Sequence, residues 1–275
     1  MSVKRRLEAL ERDEAEASAD GAPPEASKAD ALAAAFESYR ALVQSGAPVD
    51  RWELLKQRVV HYWPRTAETF LRYPQQTEIV RSVVENVETF VVAGNQLGKD
   101  WAAGLTCTLF FLEPWLFMEP SHFRAIEATR LPGEALWQVH TRRIVTTSVD
   151  GDQLRNLWGE IGRLLLTSAV PLHERAGGPL VLNQRDISLV VERGLAREPL
   201  NYLIGRVTGT GEGISGAHAA YTLMCCDEAS AADNAIYRFA QGWVKRFLFI
   251  GNANPVLPSQ FFRQAIMGGD IAADD

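Results

Sequence analysis

Val91–Asp100 reads VVAGNQLGKD, and the rest of the chain is interpreted outward from it. A short apolar run delivers the chain into a loop with two glycines, then Lys99, then a segment with helical character. This is the layout of a phosphate-binding loop. A buried strand presents the turn, glycines let backbone N–H groups point at an anion, and a lysine meets the phosphates. The pattern G-x-x-x-x-G-K-[ST] asks for Gly at 93 and Ser or Thr at 100, whereas this chain has Ala93 and Asp100. Gly94 and Gly98 also suit an ordinary turn, and Lys99 an ordinary solvated helix start, so the loop needs support from elsewhere.

That support comes from two other apolar runs. Tyr221–Cys226 (YTLMCC) reads as a buried strand and ends in Asp227–Glu228; Arg246–Ile250 (RFLFI) reads as another and ends in the turn GNANP. Parallel α/β sheets place ligands at the carboxyl ends of their strands, so three polar turns distant in sequence are expected to meet at one sheet edge. An Asp-Glu pair at such an end fits a nucleotide hydrolase. Asp227 would help hold Mg²⁺, and Glu228 would orient and polarise the attacking water. The alternative for the pair is a helix N-cap. Asp100 adds a carboxylate where a hydroxyl is usual. Carboxylates also ligate Mg²⁺, so Asp100 is either a substitute ligand or a sign of altered activity. Asn252 and Asn254 place amides at the third turn, although Asn, Gly and Pro are common in any such turn.

The pattern between these points is α/β. Helical periodicity runs through Ala31–Val43, Trp52–His61 and the segment containing Ile79, Val80, Val83, Val84 and Val87. Thr89–Ala93 is the central strand, and Asp100–Phe111 a strongly apolar helix of the kind that packs on a sheet. Phe123–Thr129 (FRAIEAT) reads as a second strand. Gly133–Thr146 reads as an amphipathic helix carrying Trp137, Arg142 and Arg143, and Gln153–Leu166 as another helix. Strand-like runs follow at Leu180–Asn183, Ile187–Val191 and Tyr202–Thr208, then a glycine-rich loop over 209–218, with a helix over Ala231–Trp243 beyond. Alternating strands and helices predict a mainly parallel sheet covered on both faces.

Composition narrows the class. With 275 residues, 47% apolar and 23% charged, the chain resembles an ordinary globular protein, and a net charge of −6 gives no general prediction of nucleic-acid binding. Cys107, Cys225 and Cys226 lie in apolar runs without metal-site spacing, so they read as reduced, buried thiols. No run reaches membrane-spanning length, and the basic-then-acidic start lacks a signal-peptide core. Residues 1–30 are expected to be a mobile tail and 31–70 a helical lead-in. Residues 71–269 form the main domain, and 270–275 an acidic tail.

Taken together, these pieces resemble the ATPase domain of the large terminase subunit, the DNA-packaging motor of tailed phages, over roughly Leu71 to Gly269. YPQQTEI is similar to that family's adenine-reading motif, with Gln76 the better-placed glutamine and Gln75 the alternative. GNQLGKD is similar to its Walker A loop, so Gly94, Asn95, Gln96, Leu97, Gly98, Lys99 and Asp100 are the implied phosphate-loop residues. GRVTGTGEGISGAHAAYTLMCCDEAS carries the family's Gly-Arg strand (Gly205–Arg206), its Ser-Gly-x-His loop (Ser215, Gly216, His218) and its Asp-Glu-Ala strand end. LFIGNANP resembles the coupling motif, with Asn252 where Ser or Thr is usual, and Asn95 stands where many members have arginine.

The resemblance implies a P-loop NTPase core of the ASCE/RecA-like type, with ATP and Mg²⁺ as cofactors. It also implies an arginine finger, for which Arg130, Arg142, Arg143 and Arg206 are available, Arg142 and Arg143 being preferred. The implied partners are double-stranded DNA, a portal ring, a small terminase subunit and further copies in a ring, in the host cytoplasm and with no membrane. Family members usually continue into a nuclease domain; none is expected in residues 1–275. Two competing readings remain: a helicase-like ATPase acting on nucleic acid, and a nucleotide-binding assembly module with little turnover.

Overall fold

The structure, a computed structural model, describes residues 30–94, 98–185, 187–191, 200–207, 217–252 and 260–267. Four helices lead in: α1 (Asp30–Gln44), α2 (Arg51–Tyr62), α3 (Pro64–Arg72) and α4 (Pro74–Glu85). Their starts follow from local chemistry. The Asp50 side chain accepts from the Glu53 N–H and caps α2. Proline opens α3 and α4, where a missing N–H is harmless and the fixed φ suits a helix. Trp63 closes α2, and its indole N–H donates to the Leu164 carbonyl at 2.7 Å, tying the lead-in to the main body. Leu32, Phe36, Tyr39, Leu55 and Phe70 share one apolar core with residues of the sheet. The lead-in is thus built into that core.

Next come β1 (Glu88–Val92), α5 (Lys99–Leu112), α6 (Pro120–Glu127), the single turn α7 (Leu136–Val139), β2 (Arg142–Ser148) and α8 (Gly151–Leu166). The chain continues through β3 (Leu180–Asn183), β4 (Ser188–Val191), β5 (Tyr202–Val207), β6 (Tyr221–Cys226), α9 (Asn234–Gln241), β7 (Arg246–Gly251) and α10 (Gln260–Met267). The seven strands form one sheet in the order β1-β7-β6-β2-β5-β4-β3. Contacts from β1 through β5 are parallel, whereas β4 and β3 are antiparallel.

β6 and β7 are buried at all six positions each, which is why they read as unbroken apolar runs rather than alternating ones. Alternation still sorts their side chains. Ile144, Leu223, Cys225, Leu248 and Ile250 join the core that contains α5 and α8. Val145, Met224, Cys226, Phe247 and Phe249 join the one under α9. All three cysteines are buried and unbridged. Among the described residues no helix is long and apolar enough to cross a membrane.

Two expectations fail. Residues 123–129 are not a strand: Pro120 opens a helix, and Phe123 is its buried anchor. Residues 133–146 are not one amphipathic helix. Only the turn α7 forms, and Arg142 onward is strand β2, as its β-branched run Ile144–Thr147 favours. α10 had no counterpart in the sequence reading. The expected tail at 1–29, most of the 209–218 loop and the tail at 270–275 lie outside the described residues.

Candidate active site

β1, β7 and β6 are parallel neighbours, so their carboxyl ends deliver Gly94, Asn252 and Asp227–Glu228 to one edge. Asp227 continues the alternation of β6 onto the face covered by α5. Lys99 is the first residue of α5 and is 7% exposed. Its Nζ donates to Glu228 Oε1 at 2.8 Å and to Asp227 Oδ1 at 3.3 Å. The Asp227 N–H donates to the Thr147 carbonyl at 2.9 Å, and Asp227 Oδ1 accepts from the Glu228 N–H at 3.0 Å. Glu228 sits in left-handed backbone at φ 53°, a conformation rare for a side chain that large, and this turns its carboxylate back toward Lys99. Asn252 Nδ2 donates to the other carboxylate oxygen, Glu228 Oε2, at 3.5 Å. One lysine and one amide therefore hold the two oxygens of Glu228.

The electrostatics follow from burial and crowding. Burial lowers the Lys99 ammonium, but hydrogen bonds and ion pairs with Glu228 and Asp227 outweigh it and leave its pKa above the usual lysine value. Asp227 also moves up despite Lys99, because burial first, and then the Asp100 and Glu228 charges, exceed the lysine's pull. Asp100 is raised by burial, opposed by Lys99, and raised further by Glu160 and Glu228. The site thus contains more carboxylates than cations.

Among the described residues, five buried side-chain atoms without a hydrogen-bond partner belong to this edge: Asp100 Oδ1, Asp227 Oδ2, Thr147 Oγ1, Ser230 Oγ and Asn252 Oδ1. Such atoms are expensive to leave unmatched, and clustering marks a place where a ligand completes the set. Mg²⁺ in phosphate chemistry uses one or two carboxylates alongside phosphate oxygens and water. The orphaned oxygens of Asp227 and Asp100 fit that demand. Among the described residues no group of three or more His, Cys, Asp or Glu is placed to hold a metal ion.

Two clefts open beside these groups. One of about 310 Å³ is lined by Gly98, Lys99, Asp100, Trp101, Gln153, Glu160 and Glu228. The other, about 350 Å³, is lined by Arg65, Thr66, Thr69, Tyr73, Gln76, Trp101 and Arg163. Gly98 is left-handed at φ 72°, and a Cβ on it would lie 2.1 Å from Gln76 Nε2. Gln76 therefore lies directly against Gly98.

The structure gathers Gln76, Gly98, Lys99, Asp100, Asp227, Glu228 and Asn252, and Gly94 follows the carboxyl end of β1. Asn95, Gln96 and Leu97 lie outside the described residues. Arg142 and Arg143 are not brought to the site, because both occupy the amino end of β2, at the opposite edge of the sheet. Arg142 is completely buried. Its guanidinium donates to the carbonyls of Phe111, Leu112 and His140 and stacks 4.1 Å from the Trp137 ring centroid. It closes the carboxyl end of α5, whose amino end is Lys99; over 14 residues the two are roughly 20 Å apart. Arg143 lies over the Tyr202 ring at 5.2 Å. Arg130 donates to the Glu134 carbonyl. Only Arg206 among the four finger candidates stands at a strand's carboxyl end, exposed on β5 beside Thr147. The sequence reading missed Trp101, Gln153, Glu160 and the lining of the second cleft. An aromatic residue directly after the loop was the available signal for Trp101.

A strand leading through a loop into α5, an Asp-Glu strand end on β6, and β7 inserted between β1 and β6 give a mainly parallel α/β fold of the P-loop-like type. No family model and no curated protein matches the chain. Among solved structures, it is similar to the ATPase domain of Thermus phage P74-26 large terminase. A mutant form of that domain is 16% identical with a TM-score of 0.44, covering 69% of this chain and 67% of that one. A second structure of the same domain is 15% identical with a TM-score of 0.39, covering 63% of each chain. The chain is also similar to the HK97 bacteriophage large terminase, at 11% identity and a TM-score of 0.42, covering 66% of this chain and 33% of that one.

Proposed function

We propose that this chain is an ATP-hydrolysing motor domain of the phage large-terminase type, powering translocation of double-stranded DNA into a procapsid. The observation that carries the nucleotide-hydrolysis part is the meeting of Lys99, Asp227, Glu228 and Asn252 at one sheet edge. The motor part rests on the sequence motifs, above all Gly205–Arg206, His218 and Asp227–Glu228–Ala229.

In this reading Lys99 and the N–H groups at the amino end of α5 bind the phosphates of ATP, where the helix dipole favours an anion. Asp227 and Asp100 would hold Mg²⁺, which neutralises developing phosphate charge. Glu228 accepts the proton of the attacking water, which its left-handed backbone and the Asn252 amide orient it to do. Binding a phosphate draws Lys99 away from Glu228, freeing that carboxylate as the substrate arrives. The arginine finger would be Arg206, replacing the preference for Arg142 and Arg143. The base would lie in the Gln76 cleft. Portal ring, small subunit, ring assembly and a cytoplasmic setting complete the proposal.

Asp100 favours a second reading, a nucleotide-binding assembly module with little turnover, because its carboxylate adds negative charge beside the phosphates. ATP hydrolysis by the purified chain, with and without duplex DNA and a portal ring, separates the readings. The motor predicts turnover that DNA stimulates and Lys99→Ala abolishes; equal turnover in wild type and variant refutes it.

A further inference from the structure

Trp101 is the only described residue that lines both clefts. On one side lie Lys99, Asp100 and Glu228; on the other, Tyr73, Gln76 and the arginines. Two further contacts tie the clefts together. Glu160 in the first forms an ion pair with Arg163 in the second. Gln76 in the second abuts Gly98 in the first. The Trp101 indole is half-buried and braced by Phe70, whose ring centroid is 5.7 Å away and whose side chain is fully buried. Bracing matters, because an aromatic surface fixed in advance binds a flat ligand without the entropy loss of ordering itself.

We propose that Trp101 is the surface on which the nucleoside of a bound nucleoside triphosphate packs, joining the phosphate cleft to the Gln76 cleft. The assignment rests on the nucleotide reading above and adds a residue to it. A ligand with its phosphates at Lys99 and its base at Gln76 must cross the one wall the two clefts share. The chemistry divides between the two residues. Stacking on an indole tolerates any base, because every base has a π-face. Gln76 offers an amide donor and acceptor that match only some base edges. Trp101 thus sets affinity for nucleotides as a group, and Gln76 the choice among them. A purely structural Trp101, present only to pack on Phe70, would influence every ligand of the site equally.

The test is calorimetric binding of ATP, GTP and inorganic tripolyphosphate, each with Mg²⁺, to the whole chain and to Trp101→Ala and Trp101→Phe. Trp101→Ala should weaken ATP and GTP alike, by roughly ten-fold or more, and leave tripolyphosphate within about two-fold. Trp101→Phe should fall between. Retained tripolyphosphate binding also reports that the variant is folded. If ATP and tripolyphosphate weaken together, or neither changes, the assignment to Trp101 is overturned while nucleotide binding stands. If the wild-type chain binds neither ligand, the nucleotide reading falls and this assignment with it.

Discussion

Gly98→Ala tests the contact between Gly98 and Gln76. The backbone there has φ 72° and ψ 27°. A left-handed alanine costs roughly 1–2 kcal/mol. Alanine also stiffens the unfolded chain, which returns about 0.4–1 kcal/mol, so the net backbone effect is near 1 kcal/mol. The second effect is steric. The new Cβ would stand 2.1 Å from Gln76 Nε2, far inside any contact distance, and the amide must move. Because that atom is the end of a flexible side chain, relocation adds only about 0.5–1.5 kcal/mol, the worth of the hydrogen bonding it disrupts. Gly98→Ala should therefore lower stability by about 2 kcal/mol and also displace Gln76 from its cleft. In a Gln76→Ala background only the backbone effect remains, near 1 kcal/mol. Urea unfolding of the four proteins in a double-mutant cycle measures the difference. A coupling of about 0.5 kcal/mol or more is expected; strict additivity refutes the contact.

Two other outcomes follow from the same geometry. The Asp100 pKa is raised in the fold by burial and by Glu160 and Glu228, against Lys99. Its contribution to stability is therefore fully present below the ordinary carboxylate range and is lost as pH rises through the raised value. Asp100→Asn should flatten that part of the stability-versus-pH curve. At pH 7 it should stabilise the chain slightly; a steeper curve contradicts this. Arg142→Lys should destabilise the chain by about 2–4 kcal/mol, since lysine cannot reproduce the forked contacts that close α5. The ATP turnover of its folded fraction should stay unchanged, whereas a finger would lose turnover at constant stability.

The parts of the fold legible in the sequence are those where local pattern and tertiary environment agree. Tyr221–Cys226 is apolar on both sides because both sides are covered, and it is found at its predicted bounds. Lys99, Asp227 and Glu228 were legible because each ends or follows an apolar strand. Arg142 misled for the opposite reason. An arginine pair suggests an exposed helix face, yet besides the nearby His140 carbonyl this guanidinium is held by the carbonyls of Phe111 and Leu112, about thirty residues earlier and outside any local window. FRAIEAT likewise has strand-like character until Pro120 and the packing of Phe123 select a helix. Trp101 was only partly legible, from its place after the loop, because the cleft it lines is built by α3, α4 and α8 together.

The most direct test of the central claim, that Glu228 is the base of an ATP-hydrolysing site, is the single-turnover cleavage rate of bound ATP by Glu228→Gln, measured beside its ATP affinity. The amide keeps the size of the side chain and can still contact Asn252, but it cannot take a proton. The account predicts a rate roughly 10²–10⁴-fold below wild type with ATP binding retained. A variant that cleaves bound ATP as fast as wild type would contradict it.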